Sequence, residues 1–245
     1  MATIQLNKVI KRYGDVQVIH GVDLSIADKE FVVLVGPSGC GKTLASYVIA
    51  GELEKLMIVV NLGAVVSSKL GETSKNLAKL FRKASAEECI IFLDEFDSLG
   101  KVRDYNQDHG EMKRVVNTIL QLFDYLPQNS IVIAATNQKE MIDEALLRRF
   151  DLSIQFPLPD NEKIKELVKL TLKNGAFKFD KPRSINHIIN SAVGLSYYSI
   201  QKTLVTAIKR SLFAQTEKAL KPQTSVISTE IWKELLIEEK AALGK

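Results

Sequence analysis

The chain has 245 residues, of which 46% are hydrophobic, enough to bury a core for one α/β domain of ordinary size plus a small appendage. Its net charge is +4, and the Lys and Arg residues are spread along the chain, so nucleic acid is not demanded as a partner. Two cysteines, Cys40 and Cys89, are too few for a disulfide framework and make the reducing cytosol the natural compartment. No apolar run approaches the roughly 20 residues that cross a bilayer. The first residues, MATIQLNKVIKR, alternate like a strand and lack the apolar stretch of a signal peptide. The expectation is a cytoplasmic protein with no membrane partner.

Residues 1 to 35 read as strands. Ile4, Leu6 and Val9 alternate loosely, Tyr13-Gly14-Asp15 is a turn, Val16 to Ile26 alternates again, and Ala27-Asp28-Lys29 turns. Phe31 to Val35 is a continuous apolar run ending in glycines, the pattern of a buried parallel strand feeding a loop and a helix. From there strand and helix alternate: helix 43 to 54, strand 57 to 61, helix 73 to 86, strand 89 to 94, helix 109 to 125, strand 130 to 135, and a last strand near 153 to 156. Pro157-Leu158-Pro159-Asp160 breaks the pattern, and everything after it reads as helical, roughly 160 to 173, 182 to 192, 196 to 217 and 228 to 241. Three parts are expected: a β element over 1–35, an α/β core over 36–157 and a helical lid over 158–245. The fold class is α/β with three layers, a mostly parallel sheet, an N-terminal antiparallel hairpin and a C-terminal helical domain.

Gly36-Pro37-Ser38-Gly39-Cys40-Gly41-Lys42-Thr43 matches the Walker A phosphate loop in full. Its glycines let successive backbone N–H groups turn toward phosphate oxygens, and the following helix aims its positive end at them. Lys42 is expected on the β and γ phosphates of ATP or ADP and the Thr43 hydroxyl on Mg²⁺, with nucleotide contacts running on to Leu44. A phosphate cradle needs carboxylates on a neighbouring strand. Cys89-Ile-Ile-Phe-Leu-Asp94-Glu95 supplies two of them, with Asp94 expected on Mg²⁺ and Glu95 polarising the attacking water. Asn137, after the strand Ile131 to Ala135, can orient that water, although an Asn there is by itself an ordinary turn former. Arg148 and Arg149 stand side by side. Adjacent arginines are most often solvated or paired with carboxylates, but a guanidinium can also stabilise the charge on a γ-phosphate in flight.

From about Thr43 onward the chain resembles a bacterial AAA ATPase. The likeness rests on SSKLGET at 67 to 73, IIFLDEFDSLG at 90 to 100, HGEMKRVVNTILQLFD at 109 to 124, IAATN at 133 to 137, EALLRRFD with FPLPD through 160, and the lid-like GLSYYSIQKTLVTAIKRSL from Gly194. It implies that Asp94 and Glu95 are the Walker B pair, Asn137 the sensor, and Arg148 and Arg149 fingers acting on ATP in a neighbouring subunit, with a hexamer as the assembly. Lys69 stands near the place where threading members present an aromatic to the pore, which weakens a threading role. The first 45 residues, through KRYG and VGPSGCGKT, instead resemble the start of an ABC sugar-importer ATPase subunit, which would make Tyr13 the platform for adenine. The LSGGQ-like signature helix and the glutamine loop of that family are missing, and so is the helical lead-in of AAA proteins. The reading is an engineered or recombined hybrid, joined at the one element whose geometry both families share. Four functions stay open: a nucleotide-binding hybrid that hydrolyses ATP weakly and is monomeric if the subunit contact is lost, a hexameric AAA remodelling ATPase, a transporter subunit, and a binding module with structural nucleotide.

Overall fold

A computed structural model describes residues 4–13, 16–26, 31–67, 70–84, 89–101, 109–126, 130–142, 144–172, 177–216 and 225–243, with backbone alone for 4–13, 16–26, 65–67, 70–73, 101, 109–114, 215–216 and 225. The elements in chain order are β1 (Ile4–Tyr13), β2 (Val16–Ile26), β3 (Phe31–Val35), α1 (Lys42–Glu52), β4 (Leu56–Asn61), α2 (Leu62–Ser67), α3 (Leu70–Ala84), β5 (Cys89–Asp94), α4 (Ser98–Lys101), α5 (His109–Asp124), β6 (Ile131–Thr136), α6 (Glu144–Leu147), β7 (Leu152–Gln155), α7 (Asn161–Thr171), β8 (Phe177–Phe179), α8 (Ile185–Ala192), α9 (Tyr197–Thr216), β9 (Ser225–Ile227) and α10 (Thr229–Leu243). β1 and β2 form a two-stranded sheet of their own. The chain divides into two compact units, one holding Met1–Val9, Gly21–Pro37 and Lys42–Phe156, the other Ile10–His20, Ser38–Gly41 and Pro157–Lys245.

The first unit is built on a five-stranded sheet in the order β4-β5-β6-β3-β7, with every pairing parallel. Parallel strands need crossovers, and the crossovers put helices on both faces, so interior strands are buried twice and read as unbroken apolar runs. Alternate residues of each strand go to opposite faces. Val33, Val35, Ile91, Leu93, Val132 and Ala134 pack with Leu77 and Phe81 of α3 and with Val115, Ile119 and Phe123 of α5. Val32, Leu34, Ile90, Phe92, Ile131, Ile133 and Ala135 meet Ile49 and Ala50 of α1 on the other face. Burying a side chain such as Phe92 or Ile133 contributes about 1.5–3 kcal/mol, so these two layers are what fix the strand ends in space.

The second unit has its own core, in which Ile164, Val168, Ile188, Ile200, Leu204, Leu236 and Trp232 meet. Asp160 caps α7 by accepting the Lys163 N–H at 2.9 Å, an ordinary N-cap. The buried Trp232 stacks on Phe179 with ring centroids 5.4 Å apart and donates its indole N–H to Thr203 Oγ1 at 3.3 Å. Here the expectation of helices alone after Pro159 is corrected: β8 and β9 form a parallel two-stranded sheet. Three-residue strands are too short to show a period of two against helical flanks. Phe179 and Ile227 need the shared core to define their faces.

Candidate functional site

The sheet order decides which loops meet. β6 lies between β3 and β5, and the parallel register pairs Val35 with Thr136, Leu93 with Ala134 and Asn61 with Asp94. Residues just beyond the carboxyl ends of β3, β5 and β6 are therefore neighbours along one edge, where open α/β sheets bind ligands.

Gly36 follows β3. Its N–H donates to the Thr136 carbonyl at 3.2 Å, and a Cβ at this position would stand 2.2 Å from the Phe156 carbonyl oxygen, so only glycine lets the loop leave the sheet here. Gly41 takes left-handed backbone at φ 97°, as does Gly39 at φ 78°. Ser38, Gly39, Cys40 and Gly41 belong to the second unit, where the Gly39 carbonyl accepts the Tyr198 N–H at 3.2 Å and the Cys40 thiol is buried. Gly36, Pro37, Lys42, Thr43 and Leu44 belong to the first unit.

Lys42 opens α1 and is only 7% exposed. Its ammonium donates to three neutral oxygens, the carbonyls of Gly36 at 2.6 Å and Pro37 at 2.9 Å and Asn137 Oδ1 at 3.0 Å. The next residue, Thr43, donates its hydroxyl to Asp94 Oδ2 at 3.3 Å. Lysine, threonine, aspartate and asparagine thus gather from three separate segments through two direct hydrogen bonds. Hard oxygens such as the Thr43 hydroxyl and the Asp94 carboxylate are the donors that Mg²⁺ prefers.

Glu95 sits one residue past the strand with φ at 55°, a left-handed conformation that costs a non-glycine residue about 1–3 kcal/mol. Its backbone is tied down: its own N–H donates to Asp94 Oδ1 at 2.9 Å, and the N–H of Phe96 donates to the Ala135 carbonyl at 2.9 Å. Its side chain is exposed.

One residue at this edge has no place in the expected set. Asp97 is 1% exposed and accepts from the Thr136 hydroxyl at 3.3 Å and the Asn137 N–H at 3.2 Å. It binds the end of β5 to the end of β6 and so sets where Asn137 starts. The signal was a third carboxylate among Phe96 and Leu99, both buried, since a buried charge needs fixed partners.

The arginines are placed by aromatic packing. Phe123 and Phe150 meet edge to face at 6.0 Å, which brings their chain neighbours Asp124 and Arg149 together in a two-pronged ion pair. Arg148 pairs with Glu144 one turn back at 2.8 Å. The side chains of both arginines are well exposed, 73% for Arg148 and 44% for Arg149, so each pair contributes about 0–1 kcal/mol. Tyr13 ends β1, and its side chain lies outside the described residues. Among the described residues no helix is long and apolar enough to cross a membrane.

Comparison with known proteins adds the lineage. Residues 32–158 match the family "ATPase family associated with various cellular activities (AAA)". The chain is similar to an uncharacterized AAA family ATPase, y4kL, of Sinorhizobium fredii, 35% identical over 86% of this chain and 62% of the relative. It is also similar to two proteins of Sulfolobus acidocaldarius. Cell division protein C is 33% identical over 87% of this chain and 58% of the relative, and Protein SAV is 34% identical over 76% of this chain and 25% of the relative. The chain thus spans less than two thirds of the length of these relatives. The matched segment takes in just over half of the chain, and with it Lys42, Thr43, Asp94, Glu95 and Asn137. This chain belongs to the AAA family of ATPases.

Proposed function

We propose that the chain binds ATP with Mg²⁺ and hydrolyses it to ADP and phosphate at the edge formed by β3, β5 and β6. The observation that carries this is the convergence of Lys42 on Asn137 at 3.0 Å and of Thr43 on Asp94 at 3.3 Å. In this reading Lys42 turns its ammonium from the three oxygens it now holds toward the β and γ phosphates. Thr43 and Asp94 hold Mg²⁺, which when bound neutralises charge on the phosphate oxygens. Glu95 accepts the proton of the attacking water, and Asn137 orients that water. Arg148 and Arg149 act in trans, on nucleotide held by a second copy in a ring; their exposure at the end of α6 supports this.

The reading of residues 1 to about 45 as an ABC-importer element joined at the phosphate loop rests on the sequence likeness of KRYG and VGPSGCGKT, while the AAA match from residue 32 already takes in the loop Gly36 to Thr43. Under that reading Tyr13 stacks on adenine, which contributes on the order of 1–3 kcal/mol.

One titration tests both parts. The intact chain should release phosphate from ATP only with Mg²⁺ present, and Lys42→Ala should lose both release and affinity for a fluorescent ATP analogue. Unchanged affinity would overturn the site. Tyr13→Ala should weaken ATP about tenfold, the equivalent of 1.4 kcal/mol, and leave bare triphosphate unaffected. Equal affinity for ATP before and after that substitution removes the adenine platform from the account.

A further inference from the structure

The carboxylate of Glu95 lies over the backbone of Gly63, the second residue of α2. A Cβ built on Gly63 would stand 2.0 Å from Glu95 Oε2, 3.2 Å from Glu95 Cδ and 3.3 Å from Asn61 Oδ1. The carboxylate therefore fills space that a side chain at position 63 would otherwise occupy. Neither partner has slack in its backbone. Asn61 accepts the Ala64 N–H at 2.8 Å and pins the start of α2, while Glu95 is held through its own N–H and that of Phe96. The direction of the carboxylate is then set by the fixed left-handed turn at Glu95, φ 55°, and by the room above Gly63.

We propose that Gly63 is a positioning residue for Glu95: the missing side chain at the β4–α2 corner seats the carboxylate in its working place. The inference rests on the reading of Glu95 as the group that takes the water proton. A glycine weakens so short a helix as α2, and the seat it opens accounts for its presence there. The atom that a methyl group would strike first is the far end of a flexible side chain, so the fold can absorb the change while the carboxylate cannot stay.

Gly63→Ala separates this from a structural role, because the two move stability in opposite directions. Alanine favours helix over glycine, so the unfolding temperature should hold or rise and the affinity for ATP should stay level. Turnover at saturating ATP should fall on the order of 10²-fold, as misplacing a reacting group by an ångström does. In the Glu95→Asp background the carboxylate is one methylene shorter and stands clear, so there Gly63→Ala should cost less than about twofold, a coupling that a double-mutant cycle reads directly. Unchanged turnover in the single variant, or equal losses in both backgrounds, overturns the proposal. A crystal structure of Gly63→Ala decides the seat independently of activity: a displaced carboxylate with α2 unmoved supports it, and a shifted α2 with the carboxylate in place refutes it. If the parent chain hydrolyses no ATP even at concentrations where it associates, the assignment of Glu95 as base fails, and the crystal structure still decides whether Gly63 sets the carboxylate.

Discussion

Lys42, Thr43, Asp94 and Asn137 at the sheet edge are each held by a group from another segment, which limits what a substitution can do. Lys42 is bound to two loop carbonyls and to Asn137, so phosphate has to be a better acceptor than three neutral oxygens, as an anion is for an ammonium. Glu95 is different: its backbone is fixed, but its side chain is exposed. Glu95→Gln keeps shape and size and removes only the ability to accept a proton. The expected outcome is unchanged affinity for ATP and loss of phosphate release, measured by nucleotide titration beside a single-turnover assay. Equal turnover in parent and variant would take the role of base from Glu95.

Among the elements, the parallel pairing of β5 with β6 fixes strand direction, but the residues beyond the strand ends need ties of their own. Asp97 supplies one with two hydrogen bonds to Thr136 and Asn137. Asp97→Ala strands a buried hydroxyl and a backbone N–H, each costing about 1–3 kcal/mol when left unsatisfied. Urea denaturation should report a loss of that order, while Asp97→Asn, which keeps an acceptor oxygen, should lose less. A variant as stable as the parent would mean that the Asn137 corner is held by the sheet alone. Helix ends follow the same economy elsewhere. Asp180 accepts the N–H and hydroxyl of Thr229 at 2.9 and 2.8 Å, at the start of α10. Burial pushes the Asp180 carboxyl upward, and the bonds from Thr229 and Lys181 outweigh it and hold the group below its ordinary value.

For the molecule as a whole, the trans role proposed for Arg148 and Arg149 would make activity a question of association. Both are paired within the chain by exposed ion pairs that are weak enough to exchange for a phosphate. If they serve a neighbour's nucleotide, the specific rate of phosphate release should climb with protein concentration. Arg149→Ala should lower that rate on the order of 10³-fold and leave the ATP affinity of an isolated subunit intact. Light scattering after size exclusion, with and without Mg·ATP, gives the assembly against which the rates are read. A rate independent of concentration, or a loss of affinity in a monomer, would show that the arginines work within one chain or hold the fold.

The sequence by itself determined the α/β class, the alternation of the main strands and helices from Phe31 to Gln155, and the motif Gly36 to Thr43 with the carboxylate pair Asp94 and Glu95 at the end of β5. It could do so because both faces of β3, β5 and β6 are buried, which leaves unbroken apolar runs such as Phe31 to Val35 and Cys89 to Leu93, and because loop chemistry is written in contiguous residues. The tertiary structure decided the rest. That β6 lies between β3 and β5 is what allows Asn137 to reach Lys42, and no local pattern carries strand order. The part played by Asp97, the pairing of β8 with β9 and the seat of Glu95 on Gly63 each join residues far apart in the chain. Hydrogen bonds and close contacts of that kind depend on distances in space, which exist only once the two layers of helices have closed on the sheet.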